Sequence, residues 1–191
     1  MVPLWLKLSY TGFVGVLVPV YTRQYGVGNF LWFSDVGLLL GCVAMWLEHP
    51  LLASTQAVAV VVPELLWIVE FAIRLTTGAR VFGLTDYMFD RSIPLLVRAL
   101  SLFHVWLPVV LIWLVLRLGY DRRAFVAQVA MGTLLLVLSY ALTPARDNVN
   151  WVHRWGSIHG PKALALSAVL FPLAFYLPAH LALGALLPRT R

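Results

Sequence analysis

The sequence is short of almost everything a water-soluble domain uses to face water. Charged residues fill only 12% of its 191 positions, and just eight of them are Asp or Glu, while 61% of positions are hydrophobic. Soluble domains carry about 25% charged and roughly 45–50% apolar residues. A soluble chain of this length could not hide so much apolar surface, whereas lipid tails can solvate the outside of a helical bundle. Cysteine is equally scarce. Cys42 stands alone, which excludes an internal disulfide, and within its apolar run it reads as a small buried residue. Neither Cys-x-x-Cys nor His-x-x-x-His occurs, and no Gly-x-Ser-x-Gly marks a nucleophile.

What is present is basic. The net charge is +6, but the fourteen Lys and Arg are scattered between apolar runs. That spacing suits anionic lipid headgroups and topology control, and it argues against nucleic acid as a partner. No repeat or low-complexity tract divides the chain, so residues 1–191 read as a single transmembrane domain. Met1-Val2-Pro3-Leu4-Trp5 has no basic region ahead of its apolar stretch, and no small-x-small cleavage site follows. It reads as a retained first helix rather than a signal peptide.

A membrane-crossing helix needs about 20 mostly apolar residues. Six segments meet that length, at 3–21, 28–47, 51–73, 93–116, 124–142 and 163–187, so the expected fold is an all-α integral membrane bundle of about six transmembrane helices. Lys7 interrupts the first span and makes it the weakest. Six spans place both termini on one face, here face A, with Lys7, the 48–50 turn, the 117–123 loop, Arg189 and Arg191. Face B receives Arg23, Arg74, Arg80, Arg91, Arg146, Arg154 and Lys162. Six basic residues against seven leave the orientation open. Both long loops, 76–92 and 144–162, fall on face B and are rich in Asp, Asn, His and aromatics. Polar loops on a rigid scaffold commonly carry function.

Ionisable groups at membrane depth cost roughly 2.5–3.5 kcal/mol each on insertion scales, so they mark a site or a partner. The candidates are Asp35, Glu64, Glu70, Arg98, His104 and His180. At 1.5 Å per residue, Asp35 lies about 10 Å from the face-B end of its span, Glu64 about 14 Å, Glu70 about 5 Å, Arg98 about 8 Å and His104 about 16 Å. Only His180 lies nearer face A. Five such residues therefore share the leaflet beneath the two polar loops. Arg98, Ser101, His104 and Pro108 recur at helical spacing and predict one polar stripe, with Pro108 freeing a carbonyl near His104. Tyr140 and Thr143 reach toward the same leaflet.

Two accounts of this cluster stay open. In one, Arg98 neutralises Asp35 or Glu64 and Glu70 pairs with Arg74, so the network only lets the bundle assemble. In the other, the cluster is a pocket. Glu64 and His104, at similar depth, then form an acid–base pair with Asp35 as an alternative base. Arg98, Ser101, Asn150, Tyr140 and His180 are the expected ligand-binding residues. The substrate would be a lipid or prenyl-type molecule arriving from the bilayer. Chains of Asp, Glu and His also suit proton or ion transport, although no inverted repeat is visible. No metal-ligand set is assigned and no cofactor is specified. The expected partners are membrane lipids and either a second copy of the chain or another membrane protein.

Several motifs resemble those of a bacterial family of small multi-pass proteins described only as membrane-associated and of unknown function. They are Tyr25-Gly26, Asn29-Phe30-Leu31-Trp32-Phe33-Ser34-Asp35, Asp86-Tyr87-Met88-Phe89-Asp90, Leu118-Gly119-Tyr120-Asp121-Arg122-Arg123-Ala124, Asn148-Val149-Asn150-Trp151 and Tyr176-Leu177-Pro178-Ala179-His180. The resemblance spans nearly the whole chain. It implies a multi-pass protein of a bacterial inner membrane and brings no reaction. Ser101-x-x-His104 with Asp35 also resembles the residue types of intramembrane hydrolases of the ceramidase and progestin-receptor kind. Their His-x-x-x-His near the last helix is missing, so neither zinc nor activity carries over.

Overall fold

The computed structural model describes residues 1–187, so Arg189 and Arg191, counted above on face A, lie outside the described residues. Helix α1 runs Leu4–Tyr25 and stops at Gly26, whose φ of 80° is the left-handed backbone that favours glycine. A 3₁₀ turn at Val27–Leu31 leads into α2, Phe33–Leu47. The tight turn at Glu48 and His49 starts α3, Pro50–Thr77. A short α4, Asp86–Phe89, sits in the following loop. Helices α5, Leu95–Leu100, and α6, Phe103–Leu118, form one rod broken at Ser101 and Leu102. After α7, Ala124–Leu142, the chain makes a two-residue hairpin, β1 Arg154–Trp155 against antiparallel β2 Ile158–His159. The last rod is α8, Pro161–Leu170, a π turn at Phe171–Tyr176, and α9, Leu177–Leu186.

Four helices among the described residues are long and apolar enough to cross a membrane: Leu4–Tyr25, Leu95–Leu118, Ala124–Leu142 and Pro161–Leu186. The fold is helical and compatible with a membrane location. The expectation of about six spans is not met as drawn. The second expected span, 28–47, begins as a 3₁₀ turn, so α2 keeps 15 residues. At 1.5 Å per residue that is about 22 Å, short of a 30 Å hydrocarbon core. The third, α3, is instead longer than expected, with 28 residues that carry Gln56, Glu64 and Glu70. Pro63 inside it removes a backbone hydrogen bond without ending the helix.

Helix α3 is the centre of the bundle and packs on α2, α6, α7 and α9. Ala53, Ala57, Val58, Val60 and Val61 along it are buried, and small side chains let its neighbours come close. A Cβ on Gly37 of α2 would sit 2.7 Å from Val60 Cγ1. The outer faces keep large apolar residues exposed, among them Val109, Val126, Leu134 and Leu181. Such a surface fits contact with lipid.

The contacts define two ends. At one end, face A, Lys7 Nζ donates to Glu48 Oε1 at 2.8 Å, and Val2 N–H donates to the same oxygen at 3.0 Å. The charge of Lys7 is met by the α2–α3 turn and also lies over the Trp46 ring, while α1 is the least apolar of the four long helices. Those donors hold the Glu48 carboxyl below its ordinary range, with the Lys7 hydrogen bond as the main cause. On the same face, Arg123 holds the Asp121 carboxyl low, and burial pushes Tyr120 up to about 12.

At the other end, face B, both long loops are tied down. Glu70 accepts from Gly83 N–H at 2.6 Å and Leu84 N–H at 3.2 Å, and Asp86 pairs with Arg74 and Arg80. The expected Glu70–Arg74 pair is thus replaced by two separate anchors, because the loop offers Glu70 two backbone donors and offers Arg74 a carboxylate. Residues 148–151 place Asn148, Asn150 and Trp151 at φ of 46°, 51° and 57°. Such backbone is uncommon for residues other than glycine and survives only where surroundings impose it. Here the surroundings are hydrogen bonds: Asn148 Oδ1 accepts from His153 and Arg154 N–H, and Asn148 Nδ2 donates to Arg154 O.

Candidate functional site

A cavity of about 530 Å³ opens at face B, between the ends of α1, α2, α3 and α6 and beneath both loops. Its depth is polar. Asp35 enters from the first turn of α2, which begins where Trp32 turns extended after the 3₁₀ segment. Glu64 enters from α3 one residue beyond Pro63, and His104 from the first turn of α6. The turn at Ser101 and Leu102 joins α5 to α6 just before His104.

Glu64 and His104 meet in the site, Oε2 to Nδ1 at 2.7 Å. Glu64 is 2% exposed, and its other oxygen, Oε1, has no partner. His104 is stacked against Trp67 at 4.7 Å between ring centroids and 21° between planes, and Phe103 flanks it at 4.2 Å. With Nδ1 as the donor to this carboxylate, Nε2 is the ring nitrogen left to accept. Asp35 is 4% exposed. Its Oδ2 accepts a long hydrogen bond from the Asn29 amide at 3.4 Å, and its Oδ1 is unpartnered. Two buried carboxyl groups thus each hold an oxygen whose partner the protein does not supply, an arrangement that costs stability unless something else meets it.

Ser101 lines the cavity but is engaged twice. Its hydroxyl donates to Val97 O at 3.1 Å and bonds the Tyr21 hydroxyl at 2.5 Å. It works as a brace rather than as a free nucleophile. Asn150 also lines the cavity, with every group satisfied: Oδ1 accepts from Phe33 N–H at 3.1 Å, and Nδ2 donates to Leu31 O at 2.7 Å and Ser139 Oγ at 3.1 Å. It pins the 144–160 loop to the start of α2 and thereby fixes Asp35 two residues later.

Three expected site residues lie elsewhere. Arg98 donates to Ile93 O and Met88 O at 3.1 and 3.0 Å, so it anchors the 76–92 loop and meets neither Asp35 nor Glu64. Of the stripe expected from helical spacing, Ser101 and His104 line the cavity, while Arg98 is taken up by the two carbonyls. Tyr140 stacks on His153 at 4.8 Å, while His153 reaches Thr143 O at 3.2 Å, which braces the base of the second loop. His180 sits at the opposite end, bonded to the Tyr120 hydroxyl at 2.7 Å. Pro108 lies inside an unbroken α6.

Other residues in the cavity wall were not singled out by the sequence: Tyr21, Tyr25, Trp32, Tyr87 and Trp151, with Arg146 and Arg154 at the mouth. Burial pushes the Tyr87 hydroxyl well above its usual value, so it stays protonated. The aromatic richness of the 84–90 and 148–155 loops was visible, but only the fold folds both back over the acids. Among the described residues, no three His, Cys, Asp or Glu side chains gather in a metal-holding group. No known family model, curated protein or solved structure matches this chain.

Proposed function

We propose that this chain is a six-span membrane protein of a bacterial inner membrane, of the family its motifs resemble, and that its face-B cavity binds an amphiphile of lipid or prenyl type and acts on it by acid–base chemistry. The observation that carries this reading is the Glu64–His104 pair at 2.7 Å, buried in the wall of a 530 Å³ cavity. A cavity of that size falls within the usual range of small-ligand sites. Glu64 holds His104 in one tautomer, and Nε2 takes a proton from a ligand hydroxyl or returns one to a leaving group. A positioned acid–base group of this kind contributes about 10²–10⁴-fold to rate. Asp35 serves as the second proton acceptor. The α2 and α3 helices complete the six spans: α3 is buried among the others, and the 3₁₀ turn ahead of α2 supplies the length that the helix itself lacks.

The test is native mass spectrometry of detergent-purified protein with lipid extraction from the same sample. The reading expects a stoichiometric amphiphile that is lost or chemically altered in His104→Ala and Glu64→Gln. An empty protein, indifferent to both changes, would sink it.

A second reading, proton or ion transport, is favoured by one feature. Gln56, Gln128 and Tyr176 are buried beyond the cavity toward face A; among the described residues Gln56 Oε1 has no partner, and the Gln128 amide and Tyr176 hydroxyl lie beside each other. Water bridging those groups would extend a polar path from Glu64. A pH-driven current in proteoliposomes, abolished by Glu64→Gln, distinguishes it from the amphiphile reading.

A further inference from the structure

We infer that the deep end of the cavity is a receptor for an organic ammonium group, carried by the ligand that the cavity binds. The inference rests on the cavity being a ligand site, as proposed above, and names the chemistry recognised there.

Three observations carry it. The first is an imbalance of charge. Asp35 and Glu64 are both buried in the wall, and each has an oxygen without a partner. The cationic side chains lining the cavity, among the described residues, are Arg146 and Arg154, which stand exposed on the 144–160 loop at the mouth. Arg98, the cation expected to neutralise Asp35 or Glu64, is committed to loop carbonyls. Acidic groups buried at membrane depth usually find a partner, and among the described residues no cationic side chain meets the free oxygens of Asp35 and Glu64.

The second observation is the wall itself. Trp67, Tyr21, Tyr87, Trp32 and Phe33 line the same cavity as the two acids. Aromatic faces attract cations through the ring quadrupole, and aromatic cages are a recurring means of holding quaternary ammonium groups. Hydrated inorganic ions gain much less from such a wall, and among the described residues no Lys or Arg lies over these five rings.

The third is size. A bare alkali ion needs a few oxygen ligands at close range, whereas the opening here is about 530 Å³ and the two carboxyl groups come from different helices. The space suits an organic group with the charge at one end. Arg146 and Arg154 at the mouth then suit an anionic portion of the same molecule.

The probes are choline chloride and tetramethylammonium chloride, titrated against purified protein in nanodiscs of phosphatidylglycerol alone, at constant ionic strength set with sodium chloride. Thermal unfolding and quenching of tryptophan fluorescence report binding, because Trp32, Trp67 and Trp151 line the cavity. The controls are potassium chloride and 3,3-dimethylbutan-1-ol, the uncharged isostere of choline. Saturable binding of both ammonium probes, with the isostere at least about tenfold weaker and Asp35→Asn weakening choline by a similar factor, is the expected result. Glu64→Gln serves in the same role should Asp35→Asn not fold, and the isostere comparison needs no variant at all. Adding phosphatidylcholine to the nanodiscs separates the sources: competition with choline assigns the ammonium to a lipid headgroup, and no competition assigns it to a soluble ligand.

No saturable response to either ammonium probe overturns the inference, as does an isostere that binds equally well. Both outcomes leave the cavity reading intact, since that reading stands or falls on whether an amphiphile is retained and depends on His104.

Discussion

Glu64 on α3 and His104 on α6 meet at 2.7 Å although forty positions separate them in the chain, and Trp67, one turn after Glu64, stacks on the same imidazole. The two helices supply complementary halves of one unit, the carboxylate and its shield from α3 and the base from α6. Removing either half leaves the other buried. Loss of one partner from a buried pair costs about 3–5 kcal/mol. His104→Ala is therefore expected to lower stability by about 3 kcal/mol, and Glu64→Gln by less, because the amide still bonds the ring. Thermal unfolding in detergent measures both. Equal stability of His104→Ala and the parent would mean that the pair carries nothing structural.

Asn150 predicts a local effect rather than a global one. Its side chain closes Phe33 N–H and Leu31 O across the start of α2. Asn150→Ala leaves both groups buried and unpartnered, at about 1–3 kcal/mol for each. Asn150→Gly eases the backbone, whose φ is 51°, but restores neither bond. Hydrogen exchange should show the Phe33 amide losing protection in both variants, while amides at the middle of α7 stay protected. Unchanged protection at Phe33 would remove the pin.

The approach of α2 to α3 depends on Gly37. A methyl group there would lie 2.7 Å from Val60 Cγ1, closer than real Cβ contacts come. Gly37→Ala should destabilise the bundle by about 1–3 kcal/mol through overpacking. Val60→Ala alone costs some packing, yet in the double variant it opens space for the new methyl. The double variant is expected to be more stable than Gly37→Ala alone, and a double-mutant cycle reads the coupling.

Glu48 gives a pH dependence with a definite sign. Its carboxyl is lowered by the Lys7 hydrogen bond first and the Val2 N–H second, from an ordinary value of 4.5. A carboxyl depressed in the folded state contributes stability that is fully present above the unfolded value and is lost as pH falls through the folded one. Docking of α1 should therefore hold at neutral pH and weaken only below the ordinary glutamate value. Melting temperature against pH, compared between the parent and Glu48→Gln, should converge on the acid side and separate above it. Parallel curves would show that Glu48 does not titrate against the fold.

Much of the architecture was written along the chain because membrane helices declare themselves locally. Long apolar runs with basic residues between them give helix after helix without reference to one another, and α7 and the 161–186 rod fall where composition alone placed them. The depth argument likewise brought Asp35, Glu64 and His104 to one leaflet, since rise per residue is fixed by helical geometry. Helical spacing did not show which partners would claim each side chain: Arg98 is taken by the carbonyls of Met88 and Ile93. Gly26 and the 3₁₀ turn shorten α2, a backbone choice that hydropathy does not register.

The sequence by itself determined that this protein is helical, apolar on its outer surfaces and polar within one end. Those properties follow from composition and from the period of the helix. Only the tertiary structure decided which polar groups meet. It gave Glu70, Arg74 and Arg98 to the loops, His180 to Tyr120 at the far end, and Asp35, Glu64 and His104 to a common cavity under Tyr87 and Trp151. The reason is physical: each of those side chains could satisfy its hydrogen bonds in several ways, and the choice was made by which helix ends the packing around α3 brought within about 3 Å of one another.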